Sequence, residues 1–258
     1  MKNNVIFIGH GNPIYAITPS EYTNSWKGIP NKIQKPSAII CVSAHWITHS
    51  LSVTAMDNPP TIHDFSGFPK QLYDINYPAK GDSQLAKEIG RALASQGCTQ
   101  DLNWGLDHGA WSVLIHLYPE ASIPVVQLSL QKNKGLDFHI QVGKLLSEFR
   151  DENILLLASG NSVHNLYAAN WQNNATADPK AIEFDGILME ILQNRDERKF
   201  ISLFEDHSLL AKWAHPTVEH LLPLFVAFGA SDIKDELSVI CQGVDMSTIS
   251  MLSLMWSS

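Results

Sequence analysis

Eleven histidines stand against eighteen lysines and arginines together, and histidine both ligates divalent metals and moves protons near neutral pH. Their placement tells more than their number. His10 follows the apolar run VIFIG, His45 follows IICVSA, and His164 comes four residues after ILLLASG. If these runs are parallel strands, their carboxyl ends carry all three histidines to one edge of a sheet, where open α/β sheets bind ligands. A lone histidine of this kind is best read as a half-buried ring bonded to a loop carbonyl. Three after three strands point to a shared site. A cluster of neutral imidazoles needs a cation or a hydrogen-bond network to offset it, and one divalent metal per chain is the expectation.

The stretch HPTVEHLLPLFVAFG adds His215, Glu219 and His220. A zinc-protease helix places its two histidines on one face as HEXXH, whereas here the spacing is HxxxEH. With Pro216 as the first helical residue, a helix over 216–228 turns about 100° per residue, so His215 and His220 diverge. His220, held by the helix body, is the expected metal ligand, and His215 caps the helix or lines the site. Glu219 reads equally as a partner of the site or as a surface charge. His108, in DHGAW, precedes a predicted helix and suits a pocket-lining, substrate-binding role. His63 lies on the loop PPTIHDFSGFP, where folding over a site and plain solvent exposure are both open. His139 falls at helical spacing from Val142 and Leu146 and suits packing. In the turn ASGNSVHNL, Asn161 or Asn165 could orient His164, and the GxSxG of a serine hydrolase is absent.

The elements that must position these residues are legible as apolar runs. Strands are expected over 4–9, 38–44, 51–56, 123–130, 153–160 and 237–244, with a last one in TISMLSLMW. Their hydrophobicity is continuous, as in strands covered on both faces. Helical patterns over 82–96, 109–118, 136–150, 179–193, 197–205 and 216–228 lie between them. The alternation predicts an α/β three-layer sandwich, a mixed and mostly parallel sheet flanked by helices, as one domain over 1–258. The loops 56–69 and 170–180 read as excursions from it.

Composition excludes several partners. A formal charge of −8 with no basic run gives neither a phosphate backbone nor an anionic membrane anything to hold. Three scattered cysteines make neither a disulfide framework nor a zinc site. The apolar stretch at the start is too short for a signal-peptide core, so a cytoplasmic protein, monomer or small homo-oligomer, is the expectation.

Taken in order, GHGNP, SAHW, PPTIHDFSGFP, LYDINYPA, DHGAW, ASGNSVHNL and HPTVEHLLPL resemble the 4,5-DOPA dioxygenase extradiol family. It belongs to the class III extradiol ring-cleavage dioxygenases, whose broader group includes the catalytic subunit of protocatechuate 4,5-dioxygenase. The resemblance runs from Val5 to the C-terminal strands. It implies His10, His45 and His220 as ligands of a mononuclear non-haem metal, and His164 as the base beside the metal or a fourth ligand. His108 takes the place of a catalytic pocket histidine near the substrate. It implies Fe(II) for activity, with Zn(II) able to occupy the same site, and a catechol and O2 as the small-molecule partners. Cleavage of a DOPA-like ring in the 4,5 position would give a muconic semialdehyde. Asn12 stands in GHGNP where the family commonly has serine, and it could still hydrogen-bond a substrate. Asn161, Asn165 or Asp107 would set the imidazole tautomers. The same ligands would also serve a zinc hydrolase, and a non-catalytic metal-binding protein is the third reading.

Overall fold

The architecture is that of a computed structural model, which describes residues 2–172 and 175–258. Positions 173 and 174, inside the expected excursion 170–180, lie outside the described residues. Among the described residues ten strands are formed: β1 (Val5–Gly9), β2 (Ala38–Thr48), β3 (Ser52–Thr54), β4 (Thr99–Asp101), β5 (Val125–Gln131), β6 (Ile154–Gly160), β7 (Glu236–Cys241), β8 (Val244–Asp245), β9 (Ile249–Ser250) and β10 (Ser253–Ser257). Eight build one sheet in the order β4-β3-β5-β2-β6-β1-β10-β7, and β8 and β9 form a separate pair. The centre of the sheet, β5-β2-β6-β1, is parallel, with antiparallel β10 and β7 closing one side.

Side chains alternate across each central strand, and both faces are buried. Val5, Phe7, Ile40, Val42, Leu156 and Ala158 enter one apolar core, whereas Ile6, Ile8, Ile39, Cys41, Leu155 and Leu157 enter the other. This is the period-two geometry of a strand with helices on each side. The first core is covered by helices Ser83–Ala92, Leu136–Leu146, Pro179–Gln193 and Leu222–Ala230. Helices Glu21–Lys27 and His108–Leu117 cover the second through Trp26, Trp111 and Leu114. The chain is thus an α/β sandwich around a mixed, mostly parallel sheet, as its sequence pattern predicts. Among the described residues no helix is long and apolar enough to cross a membrane.

Three local expectations are corrected. His45 does not follow its strand: β2 runs on to Thr48, and its register against β5 shifts between Val42 and Ile47, so His45 sits in the irregularity. Bulges of this kind re-aim a side chain at a sheet edge. The helix expected over 216–228 begins only at Leu222. Pro223 explains the late start, because a proline is accommodated in a first helical turn but breaks an interior. His215 consequently caps the end of the preceding helix Ser208–Ala214, with its N–H on the Ala211 carbonyl (2.8 Å), rather than opening the next one.

Candidate active site

The carboxyl ends of β1, β2 and β6 meet as parallel pairing requires. The His10 N–H donates to the Gly160 carbonyl (3.0 Å), tying the end of β1 to the end of β6. From Gly160 the chain turns under the segment that carries His220, whose carbonyl accepts the Asn161 N–H (2.8 Å). A Cβ on Gly160 would overlap that carbonyl oxygen, so glycine is required for the close approach. Gly109 has the same role on the other side, where a Cβ would overlap Ser43 Oγ and crowd the His45 ring (2.9 Å). His108 opens its helix behind the N-cap Asp107, and His164 is held by its N–H on the Ala214 carbonyl (2.9 Å).

Five of the eleven histidines converge. One ligand nitrogen from each of His10, His45 and His220 lies within 4.8 Å of the others. His164 stands beside this set, its ring stacked on that of His220 at 3.5 Å between centroids and 4° between planes. His108 packs against His45 at 3.8 Å between centroids. Together they form the floor of a cavity of about 240 Å³. Gly11, Asn12, Phe65, Phe68 and Met246 line its walls, and Leu166 and Trp171, 48% and 64% exposed, mark the mouth.

The tautomers follow from the partners. The Ser159 hydroxyl gives its proton to the Gly109 carbonyl, so it accepts from His10 Nδ1–H (3.0 Å), and Nε2 of His10 keeps a lone pair. Asp64 Oδ2 lies 3.3 Å from His45 Nδ1 and 2.9 Å from His108 Nδ1. A carboxylate can only accept, so its approach to both rings favours the Nδ1–H tautomer, in which Nε2 is the atom left for a ligand, although the angle at His108 Nδ1 makes no hydrogen bond. The Nε2 atoms of His10 and His45 face each other at 3.2 Å. Two lone pairs at that separation repel unless a cation lies against both.

Electrostatics lead the same way. Burial, reinforced by the neighbouring imidazoles, holds His10 and His220 well below the usual histidine range. Burial also lowers His164 to about 3, and it lowers His108 despite the opposing Asp64. These rings are therefore neutral at pH 7, the form that ligates a metal. Burial acts to raise the Asp64 carboxyl, but its bonds to His108 and His45 outweigh this and hold it well below the usual carboxylate range. The buried Nδ1 of His220 has no hydrogen-bond partner. This donor set fits one divalent cation of the kind that accepts imidazole, iron or zinc among them.

Other expected site residues stand elsewhere. His63 does not line the cavity; its Nε2 bonds to the Ile75 carbonyl (3.1 Å) and its ring packs on Phe65 and Trp111. His215 is buried behind the site, donating from Nε2 to the Ser162 carbonyl (2.7 Å). Asn12 does line the cavity, although its Oδ1 is engaged by the Ile14 N–H (2.9 Å). Asp107, Asn161 and Asn165 make no side-chain hydrogen bond to the imidazoles: their side chains bond to Ser43 and Gln127, to the Ser250 carbonyl and to the Trp213 carbonyl. Ser159 and Asp64 hold those places instead. Asp64 had a visible signal, as the carboxylate beside His63 on a loop suited to folding over a site. Ser159 had none beyond its place at a strand end. Glu219 is partly exposed, with Oε1 3.8 Å from His220 Nδ1.

The family described as "Catalytic LigB subunit of aromatic ring-opening dioxygenase" matches residues 5–253. The chain is 42% identical over 252 residues to a 4,5-DOPA dioxygenase extradiol of Escherichia coli (strain K12), covering 96% of this chain and 93% of that one. It is 38% identical over 243 residues to a protein of the same description from Beta vulgaris, covering 91% and 89%. A crystal structure of an uncharacterized Escherichia coli K12 protein superposes with a TM-score of 0.85 at 36% identity, covering 98% of this chain and 99% of the other.

Proposed function

The chain belongs to the LigB family of aromatic ring-opening dioxygenases and is an extradiol-cleaving oxidoreductase, and from that premise we propose that it opens a catechol ring beside the diol. His10, His45 and His220 would hold one ferrous ion, with His164 as the base. The observation that carries this reading is the approach of the Nε2 atoms of His10 and His45 to 3.2 Å, with His220 completing the set. When bound, a ferrous ion supplies the Lewis acidity that favours the catechol anion and the redox capacity to engage O2.

The chain's own residues do the rest. His164, neutral at pH 7, can accept a catechol hydroxyl proton, and its stacking on His220 fixes where that proton is received. His108 would offer Nε2 as a hydrogen-bond acceptor for the substrate, its Nδ1 facing the Asp64 carboxylate at 2.9 Å. Phe65 and Phe68 keep water from one flank of the ring. The product would be a muconic semialdehyde, which is yellow. DOPA is named in the descriptions of the relatives, and its L form is the reference substrate rather than an assigned one.

The test is oxygen consumption by metal-stripped protein reloaded without air with ferrous iron or zinc, then given L-DOPA and simple catechols. Uptake with a yellow product in the iron form alone is expected. Equal turnover by the zinc form, or uptake by neither, would refute the proposal.

A further inference from the structure

We infer that Asn12 is a specificity residue: an amide N–H in the cavity wall donates to an acceptor oxygen on the catechol's ring substituent, as a carboxylate supplies. This rests on the catechol reading above and names the residue that reads the rest of the molecule. Asn12 stands two residues past His10 and lines the same cavity as the histidine floor. Its partner settles which way the amide is turned. Oδ1 accepts the Ile14 N–H (2.9 Å), and only the carbonyl end of an amide can accept. Nδ2 therefore faces Met246, another residue of that wall, and meets its sulfur at 3.9 Å. A thioether is a weak acceptor, and a primary amide has two N–H groups to place. At least one is left for a ligand.

The surroundings hold this donor in place. The Tyr15 N–H on the Asn12 carbonyl (3.0 Å) pins the loop, and the Tyr15 hydroxyl on Asp245 (2.8 Å) ties it to the β8–β9 pair. Between those strands Met246 has a φ of 47°, a left-handed conformation that disfavours a residue with a side chain. Its N–H on the Asp245 carboxylate (2.8 Å) keeps it there. Among the described residues lining the cavity none is Asp, Glu, Lys or Arg. Beyond the imidazoles and Asn12, the other side-chain N–H of the lining is the Trp171 indole, at the exposed mouth. A carboxylate on the substituent exchanges lost water for the Asn12 donor. An ammonium gains aromatic faces but no carboxylate. An alkyl group leaves the amide N–H without a partner.

The measurement is calorimetric titration of the zinc-loaded protein, without air, with 3-(3,4-dihydroxyphenyl)propionate, 4-propylcatechol and dopamine. Asn12→Ala removes the donor, and the preference for the propionate over 4-propylcatechol should fall at least about tenfold. Asn12→Asp keeps an oxygen for the Ile14 N–H and exchanges the donor for an anion. It should shift the preference between the propionate and dopamine toward dopamine by at least about thirtyfold. An unchanged preference in the aspartate variant, including one left by an equal loss with every ligand, would overturn the inference. If the alanine variant does not fold, the aspartate variant, which retains the cap, decides alone. If the preferences shift as expected but the ferrous parent consumes no oxygen with any of the three, the ring-cleavage reading fails and the role of Asn12 stands. Oxygen uptake with unshifted preferences would leave the reading intact and overturn the inference. An absence of saturable binding across the series would overturn both.

Discussion

At the scale of residues, Asp64 has more influence than its place outside the metal-facing set suggests. Its carboxylate stands 3.3 Å from His45 Nδ1 and 2.9 Å from His108 Nδ1 and accepts the His108 backbone N–H, which favours the tautomers that turn Nε2 to the cavity. Asp64→Asn would put an amide where a fixed acceptor is needed, and loss of such a partner lowers metal affinity by about 10–100-fold. A competition titration against a chelator checks this; unchanged affinity would remove Asp64 from the account. His164→Ala should separate from it. It should keep the metal within a fewfold and lose about 10²–10⁴-fold in turnover, and a loss of metal instead would make His164 a ligand. His10 and His164 were legible in the sequence because each comes shortly after an apolar strand run, whereas His45 lies inside β2, in the irregularity that its apolar run does not show. Their tautomers were not, because a hydrogen bond between Ser159 and His10, 149 positions apart, leaves no local pattern.

At the scale of elements, the strands were legible because continuous apolar runs have few alternatives. The short edge strand β4, Thr-Gln-Asp, has no apolar run and was not. The segment 216–221 misled for a physical reason: its residues suit a helix, but the His220 carbonyl is taken by the Asn161 N–H, and Pro223 bars an earlier start. Gly160 joins these two elements. Gly160→Ala should force the His220 segment away from β6, destabilising the fold by about 1–3 kcal/mol and weakening metal binding together. Thermal melts with and without metal check both, and an alanine variant with native metal affinity would contradict the coupling. A second junction lies at Asp185 in helix Pro179–Gln193, which accepts from Ser162 and Ser250 (2.6 Å each). Burial outweighs these bonds and raises its carboxyl to about 6. The folded state therefore holds a proton that the unfolded chain releases near pH 4, so stability falls as pH rises through that window and levels above about 6. Asp185→Asn should abolish this dependence and match or exceed the parent above pH 7; a variant less stable there would show that the ionised carboxylate is favoured.

For the whole molecule, the neutral histidine cluster makes the metal-free protein sensitive to acid. In the unfolded chain these rings titrate near 6.5, whereas folded His10 and His220 lie well below that, with His215 at about 4 and His164 at about 3. Burial is the first cause for each. Stability is present above about 6.5 and is lost as pH falls, at up to about 1.4 kcal/mol per pH unit for each ring that the unfolded chain protonates and the folded one cannot. Bound metal stabilises the folded state and is released over the same range. Melts of the metal-free and metal-loaded forms between about pH 8 and 5 check this, and a flat metal-free profile would contradict it. The overall sandwich was legible from alternation of strand and helix, since parallel strands need covering on both faces. Which face each helix covers was not, because crossovers leave no mark on the strand patterns.

Ring opening beside the diol with O2 is tested most sharply by mass spectrometry of the product formed by the ferrous enzyme under isotopically labelled dioxygen. The expected product is a ring-opened semialdehyde with label in its carboxylate, formed at the bond outside the diol. An unlabelled ortho-quinone, or a product cleaved between the two hydroxyl-bearing carbons, would contradict it.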